Sequence, residues 1–150
     1  MKRYGKLCAM GLIPLLAGYF LSYAVQFLPV PLFQFNLIFL FLWGLLSYKI
    51  QPPDANVLKN QLILHFPALI ALILLLYQVL LRGAYWLNVI GLSTQMFFLP
   101  VLSLGVSVVN PFVSGAAPWP GYVAGFILMV LAGLIGGILK SKRLSNKSRR

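Results

Sequence analysis

Few side chains in this sequence are equipped for acid–base, nucleophilic or metal chemistry: one acid, Asp54, one histidine, His65, and one cysteine, Cys8, among 150 residues. A lone cysteine excludes an intrachain disulfide, a Cys-x-x-Cys redox pair and any multi-cysteine metal site. A lone acid excludes hydrolysis by paired carboxylates. Proton-coupled transporters usually rely on an intramembrane carboxylate, and Asp54 instead sits beside Pro52 and Pro53 in a loop. Gly91-Leu92-Ser93 contains part of a serine-nucleophile turn, with His65 as a conceivable base for intramembrane proteolysis. No oxyanion donor or orienting group accompanies it, so we read the match as chance. The sequence thus assigns no catalytic residue, no metal ligand and no cofactor, and the expectation is a non-enzymatic protein.

The remaining polar candidates are uncharged. Gln26, Gln34, Asn36, Gln78, Asn88 and Gln95 lie within or beside apolar stretches, where a polar group turns inward to hydrogen-bond. Gln34, Asn36 and Gln95 are the foremost candidates for a polar pocket near the outer leaflet, with helix-to-helix ties as the plainer reading. His65 stands two to three turns into its helix, near the cytoplasmic interface, and the expectation is an ordinary wet histidine rather than a titrating switch. Cys8, at the start of the first apolar stretch, reads as a small apolar residue, with acylation as the alternative.

Composition sets the class. The chain is 61% hydrophobic and 9% charged, with a mean hydropathy of +0.92, against about 45–50% and about 25% in soluble domains. A body of this size cannot hide that apolar excess internally, so the surplus faces lipid in a single integral membrane domain, residues 1–150. Twelve Lys and Arg oppose one acid, for a net charge of +11. They cluster at the ends of apolar segments, which suits anionic headgroups; a nucleic-acid role lacks the interleaved aromatics it would need. The tail, residues 140–150, carries Lys140, Lys142, Arg143, Lys147, Arg149 and Arg150 as the expected anionic-lipid contacts.

The elements that must position these groups are helices, and the fold class is all-α. Spans are expected over about 7–28, 32–48, 55–81 and 121–139, since about 20 helical residues cross a hydrocarbon core of about 30 Å. Pro14 should kink the first. A cleaved signal peptide ending near Ser22-Tyr23-Ala24 is a rival reading of that segment. Pro29-Val30-Pro31 makes a stiff turn, and Asp54 is the expected N-cap of the third span.

Residues 84–109 are apolar enough to span yet contain Asn88, Ser93, Thr94, Gln95, Pro100, Ser103 and Ser107. If they span, five transmembrane helices divide the twelve basic residues seven against five. If they enter and leave on one side, four spans put eleven basic residues on the side of both termini and only Arg82 opposite. The positive-inside rule favours the second arrangement: four transmembrane helices plus a re-entrant or interfacial segment broken near Pro100, both termini cytoplasmic, in a bacterial plasma membrane.

Gly121, Gly125, Gly133 and Gly137 recur every four residues around Met129 in the last span, a ridge on which another backbone could lie close. Its partner is either internal, with Gly18 and Ser22 as a candidate face, or a second chain. That ridge motivates the expected role, a subunit, assembly factor or scaffold acting through helix packing against a membrane-protein partner or its own copies. The alternative is a small transporter or oligomeric channel component using a polar re-entrant segment.

Overall fold

The computed structural model describes residues 2–51, 56–112 and 118–148, and all regular structure among them is helical. The elements are α1 (Lys2–Met10), α2 (Ile13–Phe27), α3 (Leu32–Ile50), α4 (Val57–Leu76) with a π-helical turn at Tyr77–Leu81, α5 (Val89–Val109) and α6 (Trp119–Ser148). Five runs are long and apolar enough to cross a bilayer: 4–27, 32–50, 57–81, 89–109 and 119–143.

The first run bends where expected, though slightly ahead of Pro14. The helix breaks at Gly11-Leu12, and Pro14 then occupies the first turn of α2, where its missing N–H costs nothing. Gly11 is required there because a Cβ would run into the Leu64 carbonyl of α4. Pro31 precedes α3 as its N-cap residue. The cap of α4 is Asn56, whose side chain accepts from the backbone N–H of Leu58 (2.9 Å) and Lys59 (3.3 Å). The expected cap, Asp54, lies outside the described residues.

Helix directions follow from the contacts. Gly44 of α3 meets Ala132 and Gly136, and Tyr48 meets Lys140 and Arg143, so α3 and α6 run parallel. Val57 approaches Gly137, and His65 approaches Met129, so α4 and α6 are antiparallel. Lys59 lies over the Tyr4 ring, which brings the chain's start to the same end of the bundle as the α3–α4 loop and the end of α6.

Helix α5 is continuous through Pro100; the break expected there is absent. Gly105 packs on Gly121, and Val101 on Gly125, in antiparallel sense to α6. Continued in line, Thr94 would stand level with Ala132, beside His65. It instead bonds Gln78, thirteen residues further along α4, a displacement of about 20 Å at 1.5 Å per residue. The first half of α5 therefore departs from the direction of α6, toward the end of α4.

The glycine ridge of α6 is used inside this chain. A ridge repeating every four residues drifts around a helix of 3.6 residues per turn, so its two ends face different neighbours. Gly121 and Gly125 meet Val106 and Val101 of α5, whereas Gly133 and Gly137 meet Gln61, His65 and Val57 of α4. Gly18 does not serve this ridge; it lies against the Met96 backbone of α5. Around Met129 the core closes with Phe39, Trp43, Leu64, Leu75 and Phe98.

Leucine at Gly105 would overlap backbone atoms of Gly121 and Gly125. We expect Gly105→Leu to cost about 3 kcal/mol in detergent-solubilised unfolding. Gly5→Leu, with nothing within 4 Å of its added Cβ, should not destabilise.

Candidate functional site

Polar side chains gather at three levels of the bundle. At the first, Asn36 of α3, 1% exposed, reaches the part of α5 just past Pro100. With its amide oriented to satisfy both ends, it donates to the carbonyls of Leu32 (3.0 Å) and Pro100 (3.2 Å). Its oxygen accepts from the Ser103 backbone (3.0 Å), the Leu102 backbone (3.3 Å) and Ser103 Oγ (2.7 Å). Proline lacks the N–H that would continue the ladder, and a carboxamide can donate and accept at once from two separate atoms. Asn36 thus ties α3 to α5 at the turn that follows Pro100.

The other two residues of the expected pocket do not join it. Gln34 is exposed; two positions from Asn36 it faces elsewhere on the helix. Gln95 is half-buried and donates to the Gly91 carbonyl of its own helix at 3.3 Å. The pocket expected from Gln34, Asn36 and Gln95 is, in its hydrogen bonds, a single buried brace at Asn36.

The second level is a buried polar cluster between α3, α4 and α6: Trp43, Ser47, Gln51, Asn60, Gln61 and His65. His65 is 4% exposed, so the expectation of a wet interfacial histidine is corrected. Ala68, Leu64 and Trp43 surround that turn of α4, and the glycines of α6 let it sink against backbone. Trp43 Nε1–H donates to His65 Nε2 at 3.0 Å. An indole nitrogen can only donate, so Nε2 accepts, and Nδ1–H donates to the Gln61 carbonyl at 2.9 Å. The ring is thereby fixed as one neutral tautomer, with the Met129 carbonyl 3.2 Å from Nε2. A proton on Nε2 would displace the indole donor from its acceptor. Asn60 Nδ2 donates to Gln51 Oε1 at 3.1 Å.

Sequence reading did not single out Ser47, Asn60 and Gln61, which fall near the ends of the expected spans 32–48 and 55–81, or Gln51, which it left in the loop between them. The signal was present: Ser47 and Gln51 are four apart, as are Gln61 and His65, so each pair shares a helix face. Ser47 Oγ and Gln61 Oε1 are buried with no protein partner, the situation in which an internal water is ordinarily held.

At the third level, Gln78 is wholly buried in the π-helical turn. It donates to Thr94 Oγ1 at 3.2 Å and accepts from the Trp86 N–H at 3.0 Å, joining α4, α5 and the intervening loop. Ser93 pairs with Tyr19 Oη at 2.8 Å, so Ser93 and His65 are engaged with different partners. Among the described residues no group of three His, Cys, Asp or Glu could hold a metal ion. Lys140, Lys142 and Arg143 close the 119–143 run of α6 at its C-terminal end. The side chains of Lys147, Arg149 and Arg150 lie outside the described residues.

This architecture is that of a multi-pass helical membrane protein, with polar side chains turned inward and bonded between helices. No protein-family model, curated protein or solved structure matches the chain.

Asn36→Leu removes every bond that this carboxamide makes to the Pro100–Ser103 turn of α5 and should cost about 2–3 kcal/mol in detergent-solubilised unfolding, whereas Gln34→Leu should change stability by less than about 0.5 kcal/mol. Trp43→Phe, which removes one buried donor but keeps an aromatic ring, should cost about 1 kcal/mol in the same measurement.

Proposed function

We propose that this chain is a non-enzymatic membrane protein, a subunit, assembly factor or scaffold, that presents a rigid helical body to a membrane partner. The observation that carries the reading is how the intramembrane polar groups are spent. Asn36, Trp43, His65, Gln78 and Tyr19 each bond a different helix or loop from their own, which favours a cross-braced body over one that opens and closes. Because the glycine ridge packs internally, partner contact falls to the lipid-facing side chains, such as Leu16, Phe20 and Phe27 of α2.

In the proposed topology the end of the bundle holding Lys6, Lys49, Lys59, Lys140 and Arg143 is cytoplasmic, and the membrane is a bacterial plasma membrane. The chain crosses four times, and α5 enters and leaves from the outer side. Support comes from the charge asymmetry, with Arg82 at the opposite end, and from the bond that draws the first half of α5, at Thr94, to Gln78 near the end of α4. This geometry also favours the second reading, a permeation component with α5 as a re-entrant element, because helices that enter and leave one face tend to line cavities.

Reporter fusions after Pro120 and after Arg150 test the topology: Pro120 outside and Arg150 inside is the expected result, and the reverse pair overturns it. Photo-crosslinking from Phe20 and Phe27 in cells tests the scaffold role. One recurrent adduct, lost on substituting the face, is expected; absence of protein adducts at every lipid-facing position would remove it. Flux of a small solute through vesicles holding the purified protein would transfer the assignment to permeation.

A further inference from the structure

Parallel helices α3 and α6 touch at Gly44 and Gly136, where a Cβ on Gly136 would overlap the Gly44 carbonyl. The contact of two glycines draws the backbones together and leaves the flanking side chains splayed outward, so the seam is a slot rather than a ridge. Its volume is about 620 Å³, within the range of ligand clefts, about 300–1,000 Å³. The walls are hydrocarbon: Leu37, Phe41 and Leu45 on one side, Ala132, Ile135 and Leu139 on the other.

The slot is not apolar at its end. Tyr48 closes it; Arg143 Nη1 donates to Tyr48 Oη at 2.8 Å, and Lys140 Nζ lies 5.1 Å from the centre of the same ring. Two cations are therefore gathered at one mouth of an apolar slot, in a chain whose single acid is Asp54. From Leu37 to Tyr48 the slot follows α3 for eleven residues, about 16 Å of rise, and one leaflet's half of the hydrocarbon core is about 15 Å.

We infer that the α3–α6 slot binds an anionic phospholipid, one acyl chain lying between the helices and the phosphate seated against Lys140 and Arg143. The length selects a single-leaflet chain, and the terminal cations select a negative headgroup. Arg143 spends one N–H on Tyr48 and keeps others of its five for phosphate oxygens. Charge argues against a second copy of this chain in the slot, which would bring its own excess of +11 to the same mouth.

The test uses the full chain in non-ionic detergent, titrated with phosphatidylglycerol or with phosphatidylcholine of identical acyl chains and read by native mass spectrometry. Phosphatidylglycerol should be retained about tenfold better. The double change Lys140→Gln and Arg143→Gln should bring it to the phosphatidylcholine level, and the charge-matched pair Lys6→Gln and Lys59→Gln, away from the slot, should not. Ile135→Trp, at an outward position in the slot that demands no repacking of the core, should reduce retention of both lipids while the melting temperature holds. Equal retention of the two lipids overturns the inference, as does equal loss in the charge-matched pair. So does unchanged binding in Ile135→Trp, or a dimer of the chain that this substitution dissociates.

Discussion

Close approach of backbones along α6 is the constraint on which the rest of the structure depends. In hydrocarbon the packing of two helices gains little from burying apolar groups, because lipid is as apolar as leucine, so association relies on contact distance and on hydrogen bonds. Helix α6 supplies the distance with glycines on several sides of one rod: Gly121 and Gly125 toward α5, Gly133 and Gly137 toward α4, Gly136 toward α3. The seat of α4 on α6 shows the dependence. The His65 ring lies against the α6 backbone, where Trp43 can donate to it, because Gly133 has no side chain; a Cβ there would stand 2.7 Å from His65 Cε1.

The hydrogen bonds then fix what contact distance alone leaves free. Small residues allow two helices to slide along or rotate about each other, whereas a donor matched to an acceptor at a given height does not. Trp43 with His65 sets α3 against α4, and Asn36 sets α3 against α5 beside Pro100. Gln78 sets α5 against the end of α4. The polar residues thus act as registers, and their cost in lipid is met because each finds its partner inside the bundle.

How much of this was legible in the sequence follows from the range over which each feature is determined. The apolar runs, the bend near Pro14 and the turn at Pro29 and Pro31 depend on local composition and stand out. The glycine spacing on α6 was readable as a packing face, but its partners were not: the drift of a four-residue repeat around the helix divides the face between α5 and α4, and Gly136, off that repeat, takes α3. His65 was misplaced because distance from a helix end was used as a proxy for depth, whereas α4 starts within a cluster of amide side chains sheltered by the end of α6. Gln34 and Asn36 looked equivalent by type; helical phase separates them. Pro100 suggested a break because its missing N–H is visible in sequence, while the Asn36 carboxamide that braces that point comes from sixty-four residues earlier.

Helix α5 also has a consequence for the order in which the chain comes together. Its glycine contact Gly105 waits for Gly121 and Gly125, which are synthesised after it, while Gly18, Asn36 and Gln78 precede it. On leaving the ribosome, α5 can first lean only on α2, α3 and the end of α4, and the arrival of α6 wedges it in place. Helix α6 is therefore a keystone, and a chain without it would hold α5 by its side-chain bonds and its contact with Gly18 of α2.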